Sequence, residues 1–223
     1  MIRLTCIIAT IVIAAAFAPV NAGKSALTLA AGGEVKLISG GKTSALERGM
    51  RVSANQVVET GADGYATIQM SPSLIARIGE NSRVEIKSLP GGKNLVQLAL
   101  KRGSLGARAK KGQQAQIETP AAVAAVRGTE FIVEADGDES TVLVNEGAVA
   151  VSDAEGNSEN VKAGNKAEVG PEGLKLAIME EFEKRKFEIF EQFEAQKNEM
   201  KNLLEEQKQK TQDLMDSVRP EGL

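Results

Sequence analysis

The segment at residues 117–151 constrains the fold more than any other part of the chain. Two runs rich in apolar and β-branched residues, 131–135 and 142–144, are separated by an Asp-Gly-Asp turn at residues 136–138. Two such runs joined by a short Asp-Gly segment are typical of a β-hairpin. Because one face of a strand must lie against a core, we expect this segment to form the centre of an all-β domain.

Short extended stretches separated by turn residues continue on both sides of this segment. They are residues 34–37, 56–60, 65–70, 74–78, 83–86, 95–100, 104–109 and 148–151. Glycine precedes a stretch at Gly33, Gly103 and Gly147, as it does in stacked coils. Residues 26–169 are therefore predicted to form a rolled sheet, a sandwich or a short β-solenoid.

The composition changes at Leu174, after the turn residues Pro171, Glu172 and Gly173. Residues 174–218 contain no glycine or proline and are rich in Glu, Lys, Gln, Leu and Met, which predicts one long C-terminal α-helix. Several large apolar residues recur at helical intervals and form a candidate partner interface. These residues are Phe182, Ile189, Phe193, Met200 and Leu203. We expect the first turns to dock on the β domain or a partner, and the stripe to allow a homo-oligomer.

The N-terminus has the pattern of a secretory signal peptide at residues 1–22. Arg3 precedes an apolar run at residues 4–20, and Val20, Asn21 and Ala22 are suited to cleavage after Ala22. The run is at the short end of the about 20 residues that a membrane span requires. We therefore expect a periplasmic or extracellular protein, with an inner-membrane anchor formed by residues 4–20 as the alternative.

The composition argues against several classes of function. The chain has no His and no Trp, only one Tyr, and a net charge of −3. It therefore lacks the commonest general base and metal ligand, and it lacks the basic and aromatic surface that nucleic-acid binding requires. We expect no nucleic-acid partner, no cofactor, no metal and no catalytic site.

A motif in and around the central segment is similar to the signature of the FecR domain, a family named for a periplasmic iron-dicitrate sensor and regulator. Its residues are Thr119, Pro120, Val126, Arg127, Gly128, Thr129, Phe131, Glu146, Gly147 and Val149. The resemblance extends more weakly over residues 30–169. It implies an all-β fold and a non-enzymatic role in the envelope. Only a few residues precede the apolar run, so we expect no cytoplasmic anti-sigma segment.

Arg127 is the sharpest candidate for a functional side chain within the motif. Its guanidinium could bind a carboxylate ligand, or it could pair structurally with Glu146 or Glu130. We favour the structural role, because one arginine without a second convergent polar group does not form a site. Gly128 would then supply an unusual backbone angle or a close strand approach.

The functional expectation is an exported interaction or sensory module, active in signal transduction through a protein partner in the envelope. The first alternative is a structural envelope protein that oligomerises through its C-terminal helix as a coiled coil. The second alternative is a carbohydrate-binding protein, although sugar-stacking aromatic residues are scarce.

Overall fold

A computed structural model describes residues 25–90 and 95–188, together with residues 191, 192, 195, 199, 202, 203 and 205–212. The predicted signal peptide lies outside the described residues, as do Ile189, Phe193 and Met200 of the predicted partner interface. No helix within the described ranges combines the length and the apolar character needed to span a membrane. The described chain is mostly β-strand, which confirms the predicted all-β character.

Seventeen strands make up this β structure. They are β1 (Ser25–Gly32), β2 (Val35–Ser39), β3 (Lys42–Ala45), β4 (Arg51–Ser53), β5 (Val57–Thr60), β6 (Tyr65–Ser71), β7 (Leu74–Ile78), β8 (Arg83–Ser88), β9 (Leu95–Ala109), β10 (Gln114–Glu118), β11 (Ala122–Arg127), β12 (Glu130–Asp136), β13 (Glu139–Glu146), β14 (Ala148–Asp153), β15 (Ser158–Lys162), β16 (Asn165–Gly170) and β17 (Gly173–Ile178). Helix α1 (Glu181–Arg185) follows.

The strands form two layers that share β9. The first layer has the order β4-β1-β6-β7-β9-β12-β13-β16-β17. The second layer has the order β3-β2-β5-β8-β9-β10-β11-β14-β15. Neighbouring strands are antiparallel except β9 and β10, which are parallel. All seventeen strands belong to one open, mixed hydrogen-bonded network because β9 passes from the second layer to the first.

The core lies between the two layers. Alternate residues of each strand point inward, as the burial of Phe131 and Val133 in the first layer and of Ile117 and Val149 in the second layer shows. These side chains belong to one continuous apolar cluster that extends from strand β1 to strand β16. Each Å² of apolar surface removed from water contributes about 25 cal/mol, so burial of these side chains is the main stabilising contribution that holds the layers together.

Strand β9 differs from the sequence prediction, which placed separate strands at residues 95–100 and 104–109. The structure has one strand, Leu95–Ala109, and Gly103 lies inside it with a φ of 86°. Glycine adopts this left-handed conformation without the steric cost that a Cβ imposes, so the strand bends between layers without ending. A Cβ at Gly103 would lie 2.3 Å from Ser82 Oγ, which shows how closely this bend packs against the preceding one.

The predicted helix over residues 174–218 is wrong at its start and is not supported as one long helix. Its first residues form β17, which pairs with β16 across the turn at Pro171 and Glu172. Helix α1 is short, and residues 205–212 are the longest helical stretch beyond it among the described residues. Leu174, Leu176 and Ile178 alternate with period two, and sheet pairing overrides the helix propensity of their neighbours.

Candidate interaction surface

The residues of the sequence motif are divided between opposite ends of the second layer. Thr119 and Pro120 lie in the turn between β10 and β11, whereas Arg127 ends β11 at the other side. A strand of this length spans roughly 20 Å at about 3.3 Å per residue. The structure therefore does not bring the motif together as one ligand-binding cluster.

The turn at Thr119 is a hydrogen-bonded structural element. Thr119 Oγ1 accepts a hydrogen bond from the Ala122 amide at 2.8 Å and another from Ser140 Oγ at 2.7 Å. The second bond joins the hairpin of the second layer to strand β13 of the first layer. Pro120 is exposed at the tip, where its missing amide hydrogen is not needed by any strand partner. Thr119 thus ties the two layers together at this side.

The other half of the motif forms a tight corner between the layers. Gly128 has a φ of 70°, and a Cβ built on it would lie 2.7 Å from Lys111 Cα. Gly147 has a φ of 79°, and its Cβ would lie 2.7 Å from Thr129 Cγ2. Hydrogen bonds from the Gly128 amide to the Gln113 carbonyl and from the Ala163 amide to the Gly147 carbonyl connect successive passes of the chain. Both glycines are required because successive passes approach too closely for a side chain.

Glu130 is a buried carboxylate that the sequence did not single out as a site. It is 1% exposed, and its carboxylate accepts hydrogen bonds from Arg108 Nε, which also forms an ion pair with it, and from Asn145 Nδ2 at 3.3 Å. Arg108 lies opposite Glu130 in the β9–β12 register. The pairing joins the two central strands of the first layer beside the Gly128 corner. Val126 and Phe131, on either side of that corner, are buried in the core.

Arg127 does not pair with Glu130 or Glu146 as the sequence analysis expected. Glu130 is bound by Arg108, and Glu146 is exposed at the end of β13. Within the described part of the chain, Arg127 is an exposed side chain with no ion pair at the end of β11. Arg127 and the exposed Glu146 are therefore polar side chains of the corner that a binding partner can contact. A single arginine at a flat strand end does not by itself define a site.

The segment after β17 packs on the outer face of the first layer. Met179 and Phe187 are each 3% exposed and pack with Ile132 and Leu143 in a small second apolar cluster. Phe182, which the sequence analysis placed at the partner interface, is 59% exposed. The first turns of the predicted helix are strand β17 in the structure, and the segment that follows contacts the β domain through Phe187 and not through Phe182. Leu203 of the same prediction is 49% exposed.

Charged groups hold α1 on this face. Lys166 Nζ contacts Glu183 Oε1 at 2.9 Å, and Lys186 Nζ contacts Glu134 Oε1 at 2.7 Å. Burial of the Glu183 carboxylate would by itself raise its pKa. The hydrogen bonds from Lys166 and from the Glu180 amide outweigh burial and hold the pKa of Glu183 below its usual value. Hydrogen bonds from Lys166 to Glu168 and to Glu183 in turn raise the pKa of Lys166.

Docking of α1 is expected to weaken in acid, because Glu183 must be ionised to bind Lys166. A lowered carboxyl pKa contributes stability above the unfolded value, about 4.3, and that contribution is lost as the pH falls through the folded value. Hydrogen exchange of the amides at residues 180–187 should therefore accelerate below about pH 4 relative to the sheet. Glu183→Gln should accelerate it already at neutral pH and reduce the pH dependence, while the contact of Lys186 with Glu134 remains.

Glu181→Gln is the matched control for this prediction. Glu181 lies in the same helical turn and is exposed, with only a 3.6 Å contact to Lys184. This variant should keep the wild-type pH dependence, since an exposed helical ion pair contributes little, roughly 0.3–0.5 kcal/mol. Equal responses of the two variants would show that the Lys166–Glu183 contact does not hold the helix.

Two large apolar side chains are exposed on β17, at the last strand of the first layer. Leu176 is 50% exposed and Ile178 is 75% exposed. Both share a face with Leu174, which packs partly against the core. The predicted helix included these residues, so no exposed strand was expected here. The alternation of Leu174, Leu176 and Ile178 after a Pro-Glu-Gly turn was the signal that would have identified a strand.

The charged side chains along one surface groove are mostly paired with neighbouring residues. One groove of about 520 Å³ lies along the β16–β17 turn and includes Glu139, Glu168, Glu172 and Lys175. Lys175 pairs with Glu172, and Glu168 pairs with Lys166, so most of these charges already have partners. No group of three metal-ligating side chains occurs within the described ranges. The exposed strand ends and turns are candidates for recognition.

Comparison with known proteins gives a family and a limited structural similarity. Residues 56–150 match the sequence model of the family described as FecR protein. Two crystal structures of a candidate anti-sigma factor from Parabacteroides distasonis resemble the chain with TM-scores of 0.48 and 0.49, each at 14% identity. Each alignment covers 56% of this chain and 60% of the other, so less than two thirds of those proteins is matched. No curated protein matches the chain.

The family match covers the centre of the two-layer structure. It begins just before β5 and ends within β14, and it includes the β9 crossing, the Gly128 corner and the Arg108–Glu130 pair. Strands on both sides of the match share the same buried cluster. The resemblance seen in the motif is thus confirmed, because residues 56–150 of this chain match the FecR family model.

Proposed function

We propose that this protein is an exported sensory or interaction module of the cell envelope, which acts by binding another protein and catalyses no reaction. The observation that carries the proposal is the FecR domain at residues 56–150. The resemblance to that family implies a regulatory role in which the β domain receives or relays a signal.

The geometry of the motif supports recognition through surfaces. Gly128 and Gly147 are used in close chain contacts, Glu130 is used in a buried ion pair, and Phe131 is used in the core. These residues build the scaffold, so a partner must contact exposed groups such as Arg127. A rigid scaffold that presents exposed strand ends and turns is a common basis for protein recognition.

Export is supported by the N-terminal sequence. Arg3, the apolar residues 4–20 and the Val-Asn-Ala sequence at residues 20–22 fit a cleaved secretory signal. The mass of the protein from fractionated cells tests this part of the proposal. We expect a periplasmic or secreted chain that begins at Gly23, and we expect Ala22→Arg to retain the N-terminal segment. An uncleaved wild-type chain in the membrane fraction would support the anchored alternative, and one in the cytoplasm would contradict export.

A deletion strain tests the sensory role. Loss of the gene should change the transcription of a limited set of genes without making the envelope leaky, because a regulatory protein is not a structural component of the envelope. The full chain should restore the wild-type profile, and the chain without residues 2–22 should not. A leaky envelope with unchanged transcription would contradict the sensory proposal and favour the structural alternative. Retention of the protein on purified cell-wall glycan would favour carbohydrate binding.

A further inference from the structure

Four strands lie at the ends of the two layers, and three of them are protected against pairing with another chain. Strand β3 is short and fully exposed with the sequence Lys-Thr-Ser-Ala, and β4 has three residues. Strand β15 exposes serine, glutamate, asparagine and lysine, and only Val161 is buried. Short length and charged or polar residues are the usual means by which proteins discourage edge pairing.

The fourth edge strand, β17, is less protected, because Lys175 on its outer face is its one charged residue. Among the described residues it pairs with β16 on one side only, and its inward face exposes Leu176 and Ile178 at the end of the sandwich. At the opposite end of the sandwich, Leu46 is 3% exposed and belongs to the core cluster. One end of the shared core is therefore covered by its own chain, and the other end presents apolar side chains to solvent. An exposed apolar edge strand is a template for strand addition.

The described residues of the chain's own C-terminal segment do not fill this position. After β17 the chain turns onto the outer face of the first layer, where Met179 and Phe187 pack against Ile132 and Leu143. Leu176 and Ile178 face the opposite side, toward the space between the layers. The described residues beyond Phe187 are helical, and a helix cannot extend the sheet by main-chain pairing.

The sequence of β17 is complementary to itself in one antiparallel register. If a two-fold axis passes through Leu176, that residue lies opposite its own copy, and Leu174 lies opposite Ile178 of the second copy. Lys175 then lies opposite Ala177, and no like charges meet. A register centred on Lys175 would instead oppose two lysines. In the register centred on Leu176, the inward faces of both copies lie on the same side of the joined sheet. The apolar side chains of the two strands then form one continuous stripe.

We propose that a second copy of this chain binds at this edge, with the two β17 strands antiparallel and Leu176 on the two-fold axis. The first layers of the two copies then form one continuous sheet. Main-chain hydrogen bonds supply the pairing, and contact between Leu174, Leu176 and Ile178 of the two copies removes apolar surface from water.

Sedimentation equilibrium of the full chain tests this proposal. The wild type should show a concentration-dependent monomer–dimer equilibrium. Leu176→Lys should weaken dimerisation at least about tenfold, since it removes apolar contact and opposes two cations on the axis. Phe182→Lys is the matched control, because Phe182 is 59% exposed but lies on α1. It should leave the dimer unchanged.

Cysteine crosslinking tests the register. In a Cys6→Ser background, Leu176→Cys should give an oxidised dimer, because directly opposite residues have Cβ atoms about 4.5–5.5 Å apart, close to disulfide distance. Ile178→Cys, on the same face, should not, because its two copies would be four residues out of register. A wild type that stays monomeric at all concentrations would overturn the proposal. Equal crosslinking at both positions, or a dimer lost with Phe182→Lys and kept with Leu176→Lys, would also overturn it.

Discussion

Gly128→Ala is expected to destabilise the protein by about 3 kcal/mol, one of the two largest effects predicted for a single substitution in this structure. The φ of 70° costs a residue with a Cβ about 1–2 kcal/mol. The new methyl group would also lie 2.7 Å from Lys111 Cα and 3.3 Å from the Lys110 carbonyl oxygen. These are backbone atoms, so they cannot rotate away, and relieving the contact must separate two passes of the chain at about 1–3 kcal/mol. Urea denaturation followed by circular dichroism measures the loss.

Gly137→Ala is the matched control for the corner. Gly137 has a φ of 56° in the hairpin turn, and a Cβ there meets no atom within 4 Å among the described residues. This variant should lose only the conformational contribution, about 1–2 kcal/mol. The difference between the two variants isolates the close approach at the corner. Losses of equal size would mean that the corner is open enough to accept a side chain, and the structural role given to the motif would be wrong.

The local pattern of the sequence was sufficient to predict about half of the individual strands. The hairpin of β12 and β13 lies where the β-branched runs and the Asp-Gly turn placed it. Period-two alternation reports which face of a strand is buried, but it does not report which layer the strand joins. For that reason the sequence left a rolled sheet, a sandwich and a solenoid open, and it divided β9 at Gly103. The glycine is a real bend, although the strand continues through it.

The error at the C-terminus has a different physical cause. Leu174, Leu176 and Ile178 fit a strand by their alternation, and Ile178 also fits the helical stripe that continues through Phe182. Intrinsic preferences of less than about 1 kcal/mol per residue cannot decide between these alternatives. Pairing with β16 decides it, since an antiparallel partner two turn residues away satisfies the main chain and partly buries Leu174. Such non-local contacts are not visible in the pattern of one segment.

The Arg108–Glu130 pair illustrates the same limit within the motif region. The two residues are 22 positions apart, and only the β9–β12 register places them opposite each other. The sequence alone therefore favours Arg127, three residues from Glu130, as the cation that pairs with this carboxylate. Proximity along the chain is a poor guide here because β11 ends in the second layer and β12 begins in the first. The corner at Gly128 places Arg127 and Glu130, which are close in sequence, in different layers. It brings Glu130 opposite Arg108, which is distant in sequence.

Arg108→Met is expected to cost about 3 kcal/mol, because it leaves the carboxylate of Glu130 buried without its cation. Removal of one partner from a buried ion pair typically costs about 3–5 kcal/mol. The lower end applies, since the Arg108 side chain is 30% exposed and Asn145 still donates a hydrogen bond to Glu130. Methionine keeps much of the length and apolar packing of the arginine stem. Denaturant unfolding of the variant beside the wild type gives the loss directly.

The double variant separates an uncompensated buried charge from simple loss of packing. Glu130→Gln alone should cost about 1–2 kcal/mol, because the released guanidinium reaches solvent and the amide keeps the shape of the carboxylate. In Arg108→Met with Glu130→Gln no charge remains buried, so the combined loss should be smaller than the sum by about 1–2 kcal/mol. Strict additivity would mean that the two side chains do not interact. An additive result would also mean that no electrostatic interaction links β9 and β12 in the motif. Only the close approach of the chain at Gly128 would then explain the particular sequence of this corner.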